Sequence, residues 1–381
     1  MSTIKVAAIQ HPSAATAAIT LDADGGALIG GQAAYARNLL YNGAMQVAQR
    51  GTSVTGNTGG GYLTADRWQV GNVTLGTWTQ TVENDAPTGS GFRKSLKMLC
   101  TTADAAPAAA DLLRFEQYLE GQDVQRIAKG TSAAQQLTLS FWVKSNVTGT
   151  YITELLDADN SRSISSSYSI SASATWEKKT ITFAADTTGV FDNDNATSLR
   201  VAFALGAGSD YTSGTLATAW GAITTANRYV GQTNLAAATS NYWQVTGVQL
   251  EVGPAATPFE FKSFGQELRE CQRYFSKFGG TQTNERIALA FIANSTTAYP
   301  QFIPKVSMRT NPDHVRVGTI QLVMPGIVAT SVTGSSNSTM APEQSEIGLT
   351  IPADATNFVV GRVCVVAAAN TSSYIGLTAE L

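Results

Sequence analysis

The chain has 381 residues and carries 25 Lys and Arg against 28 Asp and Glu, a formal net charge of −3. That length asks for two or three domains of the usual ~100–200 residues, and the near-neutral balance, without any run of Lys and Arg, excludes nucleic acid as a partner held through phosphate neutralisation. Charged residues are 14% of the chain against about 25% in an average soluble domain, so the abundant Gly, Ala, Ser and Thr suit strands and turns in place of long solvated helices.

Residues 2–30 alternate apolar and polar in two bursts, Ile4–Ile9 and Ala17–Leu21, broken by Asp22-Ala-Asp-Gly-Gly26. Two brief strands bury no core of their own, so residues 1–37 read as an anchoring or oligomerisation segment with a small, Gly-rich linker over Ala27–Ala36. No apolar stretch follows Lys5, and no window reaches the ~18 consecutive apolar residues of a membrane span, so neither secretion by a signal peptide nor membrane insertion is expected.

A compact domain is predicted over residues 38–262. Its strand-like runs are Tyr62–Val70, Leu75–Val82, Leu96–Cys100, Leu137–Lys144, Tyr151–Leu156, Ser167–Ile170, Trp176–Ala184, Leu199–Leu205 and Tyr242–Val252, separated by Gly, Asn, Asp and Ser turns. Such spacing indicates an antiparallel β-sandwich. In Leu137–Lys144, Leu137, Leu139, Phe141 and Val143 share one face, leaving Thr138, Ser140, Trp142 and Lys144 to meet solvent or a ligand. Asp111–Glu120 fits either periodicity and is read as strand, followed by a short helical turn near Gln122–Ala128.

One helix is predicted over residues 263–279, with Ser263 as N-cap, Gln266 three residues on, Arg269, Arg273 and Lys277 toward its end, and Gly279-Gly280 to stop it. A smaller β domain, residues 280–381, follows, with runs at Ile287–Ala293, Ala298–Ile303, His314–Met324, Ile347–Ile351 and Phe358–Ala367.

Little in the chain supports catalysis. His11 and His314 are the only histidines and fall in different domains, which argues against a soft-metal site or a Ser/His/Asp engine. Cys100, Cys271 and Cys364 are too widely spaced for a metal or redox motif and read as buried thiols of a reducing cytosol. Asp157, Asp159, Asp192 and Asp194 offer hard oxygens that calcium could use, but Arg162 stands where an EF-hand needs Gly and no Glu closes either loop, so ordinary turns are favoured. No other cofactor is indicated. Acidic pairs such as Glu116 and Glu120, or Glu343 and Glu346, are available for glycoside hydrolysis but are common in turns. Glycan binding is better served by aromatic faces beside polar groups. Of the six tryptophans, all in the sandwich, most are read as packing residues. The candidate contacts are Tyr211, Trp220 and Tyr229 in the long segment 206–241, and Tyr299, His314 and Tyr374 in the C-terminal domain.

Asn38-Leu-Leu-Tyr-Asn-Gly-Ala-Met-Gln-Val-Ala-Gln-Arg-Gly51 and Tyr62-Leu-Thr-Ala-Asp-Arg-Trp68 resemble the start of a widespread tailed-phage fibre domain. Val248-Gln-Leu-Glu-Val-Gly253, Thr257-Pro-Phe-Glu260 and Gln266-Glu-Leu-Arg-Glu-Cys-Gln-Arg-Tyr274 resemble its close, and the segments occur in that family's order over residues 38–278. Between them, Ser140-Phe-Trp-Val-Lys-Ser145, Trp176–Phe183 and Val201–Leu205 look like strands of carbohydrate-binding-module sandwiches. Such modules often hold a structural calcium through acids near the last strand, where this chain has Thr246-Gly247.

The resemblance implies a virion protein assembled in the host cytoplasm, a homotrimer, attachment to other virion proteins through the N-terminal segment, and host-surface carbohydrate as the target of the distal 280–381 domain. The expected function is therefore a non-enzymatic tail fibre or fibre-like adhesin. A purely structural head, baseplate or collar component and a polysaccharide depolymerase are the alternatives.

Overall fold

The computed structural model describes residues 37–324, 329–353, 355 and 357–381 in full, and before them the backbone of 8–9, 19–21, 27–29 and 32–33. Those four short pieces pair as a four-stranded antiparallel meander. Residues 27–29 and 32–33 thus belong to strands where a linker was expected. The rest of both N-terminal bursts, with His11, lies outside the described residues. From there the chain divides between Phe264 and Gly265 into two compact units.

The first unit is built from β1 (Ser53–Asn57), β2 (Gln69–Val73), β3 (Thr77–Glu83), β4 (Ser95–Thr102), β5 (Leu112–Glu120), β6 (Leu137–Ser145), β7 (Gly149–Asp157), β8 (Arg162–Ile170), β9 (Glu177–Phe183), β10 (Thr197–Ala207) and β11 (Tyr242–Val252). Two antiparallel sheets result. One orders as β8-β7-β10-β5-β2, edged by the two-residue strands Gly221–Ala222 and Gly61–Tyr62; the other orders as β9-β6-β11-β4-β3-β1. The ambiguous run is the strand β5, and the expected helical turn follows it at Gly121–Ile127.

Alternation along each strand sends one set of side chains between the sheets. Phe141 of β6 meets Phe203 of β10 at 4.9 Å and Tyr168 of β8 at 5.1 Å, and Trp243 of β11 meets Phe115 of β5 at 5.9 Å. The buried indole of Trp243 donates to the Tyr168 hydroxyl at 3.2 Å, and burial pushes that phenol far above its ordinary pKa. Trp68, Trp78 and Trp243 are wholly buried, whereas Trp142, Trp176 and Trp220 are half-buried.

The segments that carry the phage-fibre resemblance meet in space although about 200 residues separate them. The Asn38 side chain donates to Val248 O (3.1 Å) and accepts from the amides of Leu40 and Leu250 (3.0 Å each). Its own amide donates to the Glu260 carboxylate (2.9 Å), and Arg37 donates to the Thr257 hydroxyl (2.5 Å). A bulge in β11 opposite Phe141 turns the Val248 amide toward Gly43 O at 2.9 Å. Only glycine fits at 43, since a Cβ there would lie 2.1 Å from Val248 O. These residues form a latch that fastens the last sandwich strand to the start of the domain.

In the second unit the helix α1 is shorter than predicted, Phe264–Gln272. The residues after it, Phe275–Phe278 (β12), are a strand paired with the last strand, and Gly279 and Gly280 carry positive φ beyond it. The alternation of Phe275, Ser276, Lys277 and Phe278 serves a strand as well as a helix. Then come β13 (Glu285–Asn294), β14 (Thr297–Phe302), β15 (Asp313–Val317), β16 (Ile320–Val323), β17 (Gly334–Met340), β18 (Ser345–Thr350), β19 (Val363–Ala368) and β20 (Tyr374–Thr378). The run expected over His314–Met324 is broken at Gly318, where φ is +65°. A three-stranded sheet, β12-β20-β15, and a seven-stranded one, β16-β19-β13-β14-β18-β17 with Thr330–Ser331 at its edge, share a core that includes Ile292, Phe302, Leu322, Leu349, Val366 and Leu377. Among the described residues the fold is mainly β: a sandwich, then the helix α1 and a smaller β unit.

Candidate functional site

The outer face of the six-stranded sheet carries an aromatic-lined concavity. Strand β6 turns Ser140, Trp142 and Lys144 outward as its alternation predicts, but Ser140 is buried and Trp142 half-buried because other segments fold over them. The loop between β3 and β4 lays Phe92 there, and the chain leaving β11 adds Phe259 and Phe261. Phe92 stands 4.9 Å from Phe259 and 5.1 Å from Phe261, and the latter two rings are 5.0 Å apart. The bulged Gly247 makes this seating possible. Its φ is +62°, and a Cβ would sit 2.5 Å from the Phe92 ring.

These three phenylalanines, with Trp142, wall an open hollow of about 340 Å³. Ser90, Ser140 and Lys178 supply its polar groups, and no Asp or Glu is among its described lining residues. Lys178 lies opposite Trp142 across the β6–β9 pair and is exposed. Beside the hollow, Lys144 stands 5.1 Å over the Trp176 ring and pairs with Asp85, which also accepts from Trp176 Nε1 (3.3 Å) and Gln244 (3.2 Å). Burial would raise the Asp85 carboxyl, but Lys144 and these donors outweigh it and hold it below the ordinary range. An apolar floor with a few placed polar groups is the usual form of a small-ligand site.

The opposite outer face, on the seven-stranded sheet, is covered. Residues 208–232, within the 206–241 stretch expected to be a contact surface, pack there through Tyr229, which shares a small core with Leu112, Ile152 and Ala204 of the sheet. Under them, Glu154 accepts from Arg228 (2.6 and 2.7 Å), Arg200 (2.6 Å) and the Tyr229 hydroxyl (2.9 Å). Glu116 accepts from Arg114 (2.6 Å) and Tyr118 (3.1 Å). Full burial would raise Glu154, but the two arginines outweigh it and lower its pKa.

The sequence-predicted contacts are therefore not brought together. Tyr229 is corrected outright: it is wholly buried beneath Arg228 and its hydroxyl is spent on Glu154. Tyr211 is half-buried against it at 6.2 Å. Trp220 is half-buried and donates to Ala184 O at 2.8 Å. In the second unit Tyr374 is also corrected, with 8% exposure and Lys277 4.6 Å above its ring. His314 is held by Asn337 (2.5 Å) and Ser335 (2.8 Å). Tyr299 is half-exposed on the outer face of its sheet, over Gly348.

The calcium reading is corrected at Asp157, whose oxygens are already taken by an ammonium. Lys129, 4% exposed, donates to Asp157 (2.5 Å), Thr188 O (2.9 Å) and Gly189 O (2.9 Å), and its Nζ is 3.1 Å from Asp186. Phe191 and Trp220 flank the same nitrogen at 5.2 Å. Asp159, Asp192 and Asp194 are exposed turn residues; Asp159 accepts from the Asp192 amide and Asp194 from the Ala196 amide, each at 2.9 Å. Among the described residues no three His, Cys, Asp or Glu side chains converge on one point. All three cysteines are buried.

No protein-family model and no curated protein matches the chain. Among solved structures it is similar to the enzymatically active domain of tailspike protein 4 of bacteriophage CBA120 (13% identity, TM-score 0.30, covering 56% of this chain and 21% of that one). It is also similar to a family 61 carbohydrate-binding module in complex with β-1,4-galactotriose (10%, 0.29, 57% and 99%). A third is the family 11 carbohydrate-binding module of Clostridium thermocellum in complex with a β-1,3-1,4-mixed-linked tetrasaccharide (9%, 0.28, 54% and 96%). The match spans about a fifth of the tailspike chain and nearly all of each module. At these scores the sandwich rests on its own strand pairings.

Proposed function

We propose that this chain is a non-catalytic virion protein of a tailed phage, a tail fibre or fibre-like adhesin, that binds host-surface glycan through the aromatic hollow of its sandwich. The hollow is the observation that carries the reading. Sugar rings present C–H faces that pack on aromatic rings while their hydroxyls seek nearby polar groups, and Trp142, Phe259 and Phe261 stand beside Ser140, Ser90 and Lys178. The expectation of binding in residues 280–381 gives way to this site because two of the three candidates there, Tyr374 and His314, are buried or already hydrogen-bonded.

The same geometry favours binding over cleavage. Glycoside hydrolysis needs two carboxyls flanking the bond, and no carboxylate lines the hollow among its described residues. Elsewhere Glu116 and Glu154 are neutralised by arginines, and Asp157 by Lys129. Lys178 favours a glycan bearing a carboxylate. The virion role, the trimer and the N-terminal attachment to other virion proteins rest on the latch segments and their likeness to phage fibres. A glycan array probed with the full chain and with Trp142→Ala tests the reading. Retention on acidic glycans by the wild type and loss by the variant is the expected result; equal retention by both would remove the hollow from the account.

A further inference from the structure

The aromatic hollow does not end at Phe92. The same side chain lines a second open depression of about 360 Å³, bounded by Asn84, Thr88, Gly89, Gly91 and Arg93 of the loop between β3 and β4. Hydrogen bonds hold that loop in shape: Pro87 O accepts from the Ser90 amide (3.3 Å) and hydroxyl (2.5 Å), and Lys94 donates to Asn84 Oδ1 (2.5 Å) across its neck. Gly91 lies so close to the first hollow that a Cβ there would stand 3.0 Å from the Phe261 ring. The two depressions are therefore neighbours on one surface, with Phe92 between them.

Each depression also holds a cation without a counter-ion. Lys178 in the first and Arg93 in the second are exposed, and among the described residues neither is in an ion pair. Nearby lysines differ, since Lys144 pairs with Asp85 and Lys179 with Glu177. No Asp or Glu is among the described residues lining either depression, and the one acid inside the loop, Asp85, is engaged by Lys144, Trp176 and Gln244. Lys178 lies on β9 and Arg93 at the entry to β4, three strands away in the order β9-β6-β11-β4. At ~4.8 Å per strand that separates them by about 14 Å, and one sugar ring cannot reach both. We infer that the two depressions are successive subsites for one ligand chain, a linear oligosaccharide with carboxylates on separate residues. One carboxylate meets Lys178 and another the two-pronged guanidinium of Arg93, while the aromatic rings between the cations take the sugar faces. The inference rests on the glycan reading of the hollow and adds to it the length and charge spacing of the ligand.

Isothermal titration calorimetry of the full chain with dimers and hexamers of galacturonate and of mannuronate is the test. In at least one series the wild type should bind the hexamer roughly tenfold or more tightly than the dimer, with the ratio shrinking in high salt. Arg93→Ala should leave the dimer's affinity unchanged and bring the hexamer to within a few-fold of it, the remainder reflecting the hexamer's extra registers. Because Arg93 is exposed and outside any ion pair, the variant should keep the fold, which far-UV circular dichroism checks. Dimer and hexamer bound alike by the wild type, or a hexamer that Arg93→Ala holds as tightly as the wild type does, overturns the inference. The glycan reading of the hollow then still stands if Trp142→Ala abolishes the binding of both lengths. Binding of neither series by the wild type overturns the inference and that reading together.

Discussion

Replacing Lys129 by Met keeps the length of the side chain and its packing on Phe191 and Trp220 but removes the ammonium from between Asp157 and Asp186. Both carboxylates are almost sealed from water, with side-chain exposures of 0% and 5%. Leaving a buried charge without its partner costs about 3–5 kcal/mol. The lower end applies here because Arg162 still donates to Asp186 at 2.8 and 3.0 Å, and Asn160 still donates to Asp157 at about 3 Å. A loss of ~3 kcal/mol in a domain of ~200 residues lowers its midpoint by roughly 6–12 °C. Scanning calorimetry of the full chain, following the sandwich transition, measures it. Because an ammonium fills the cage, chelator should leave the wild-type midpoint where it is. A variant midpoint within about 1 °C of wild type, or a wild-type midpoint that falls with chelator, would refute the assignment of Lys129 as the resident cation.

Glu154→Ala removes the carboxylate that Arg228 pairs with and leaves Arg200 only its 3.5 Å contact with Glu116, so it should cost about 3–5 kcal/mol, seen as a lower urea midpoint and as faster proteolysis within segment 208–232. Asn38→Ala removes three buried hydrogen bonds of the latch, each worth ~0.5–1.5 kcal/mol, so denaturation should show a loss of about 2–4 kcal/mol. Gly43→Ala should be at least as damaging, since its Cβ meets a backbone oxygen that cannot step aside. Stability should also fall with acid. Asp85, Glu154 and Asp186 have folded pKa values below their unfolded ones, so their contribution is present above the ordinary carboxylate range near ~4 and is lost as pH falls through and below it. Urea midpoints from pH 7 to 3 would show a plateau followed by this decline.

Much of the fold was legible from residue spacing. Tyr242–Val252 is a strand over the predicted residues, and the inward set of β6 is Leu137, Leu139, Phe141 and Val143, because a period of two on a half-buried strand leaves little choice. Polar strands escaped notice. Ser53–Asn57 and Gly334–Met340 are edge strands rich in Ser, Thr and Asn, held by backbone pairing and not by an apolar face. The site was harder to read. Tyr229 lies in a Gly, Thr and Asn context that suggests an exposed loop, yet Glu154, 75 residues away, draws Arg228 and the Tyr229 hydroxyl inward. The hollow gathers Phe92, Trp142 and Phe259 from three distant segments, so no local pattern announces it. Its one sequence signal was the outward face of β6, where alternation leaves Ser140 and Trp142 to meet solvent or a ligand.

Whether that hollow holds a sugar is the claim on which the functional reading stands. Tryptophan fluorescence of the full chain, titrated with acidic and neutral oligosaccharides, addresses it through Trp142 itself. The account predicts saturable quenching by a carboxylate-bearing saccharide, weakened at least tenfold by Phe261→Ala and by Lys178→Glu, neither of which disturbs the buried core. Saturable quenching that both variants leave intact, or none from any saccharide of the panel, would contradict it.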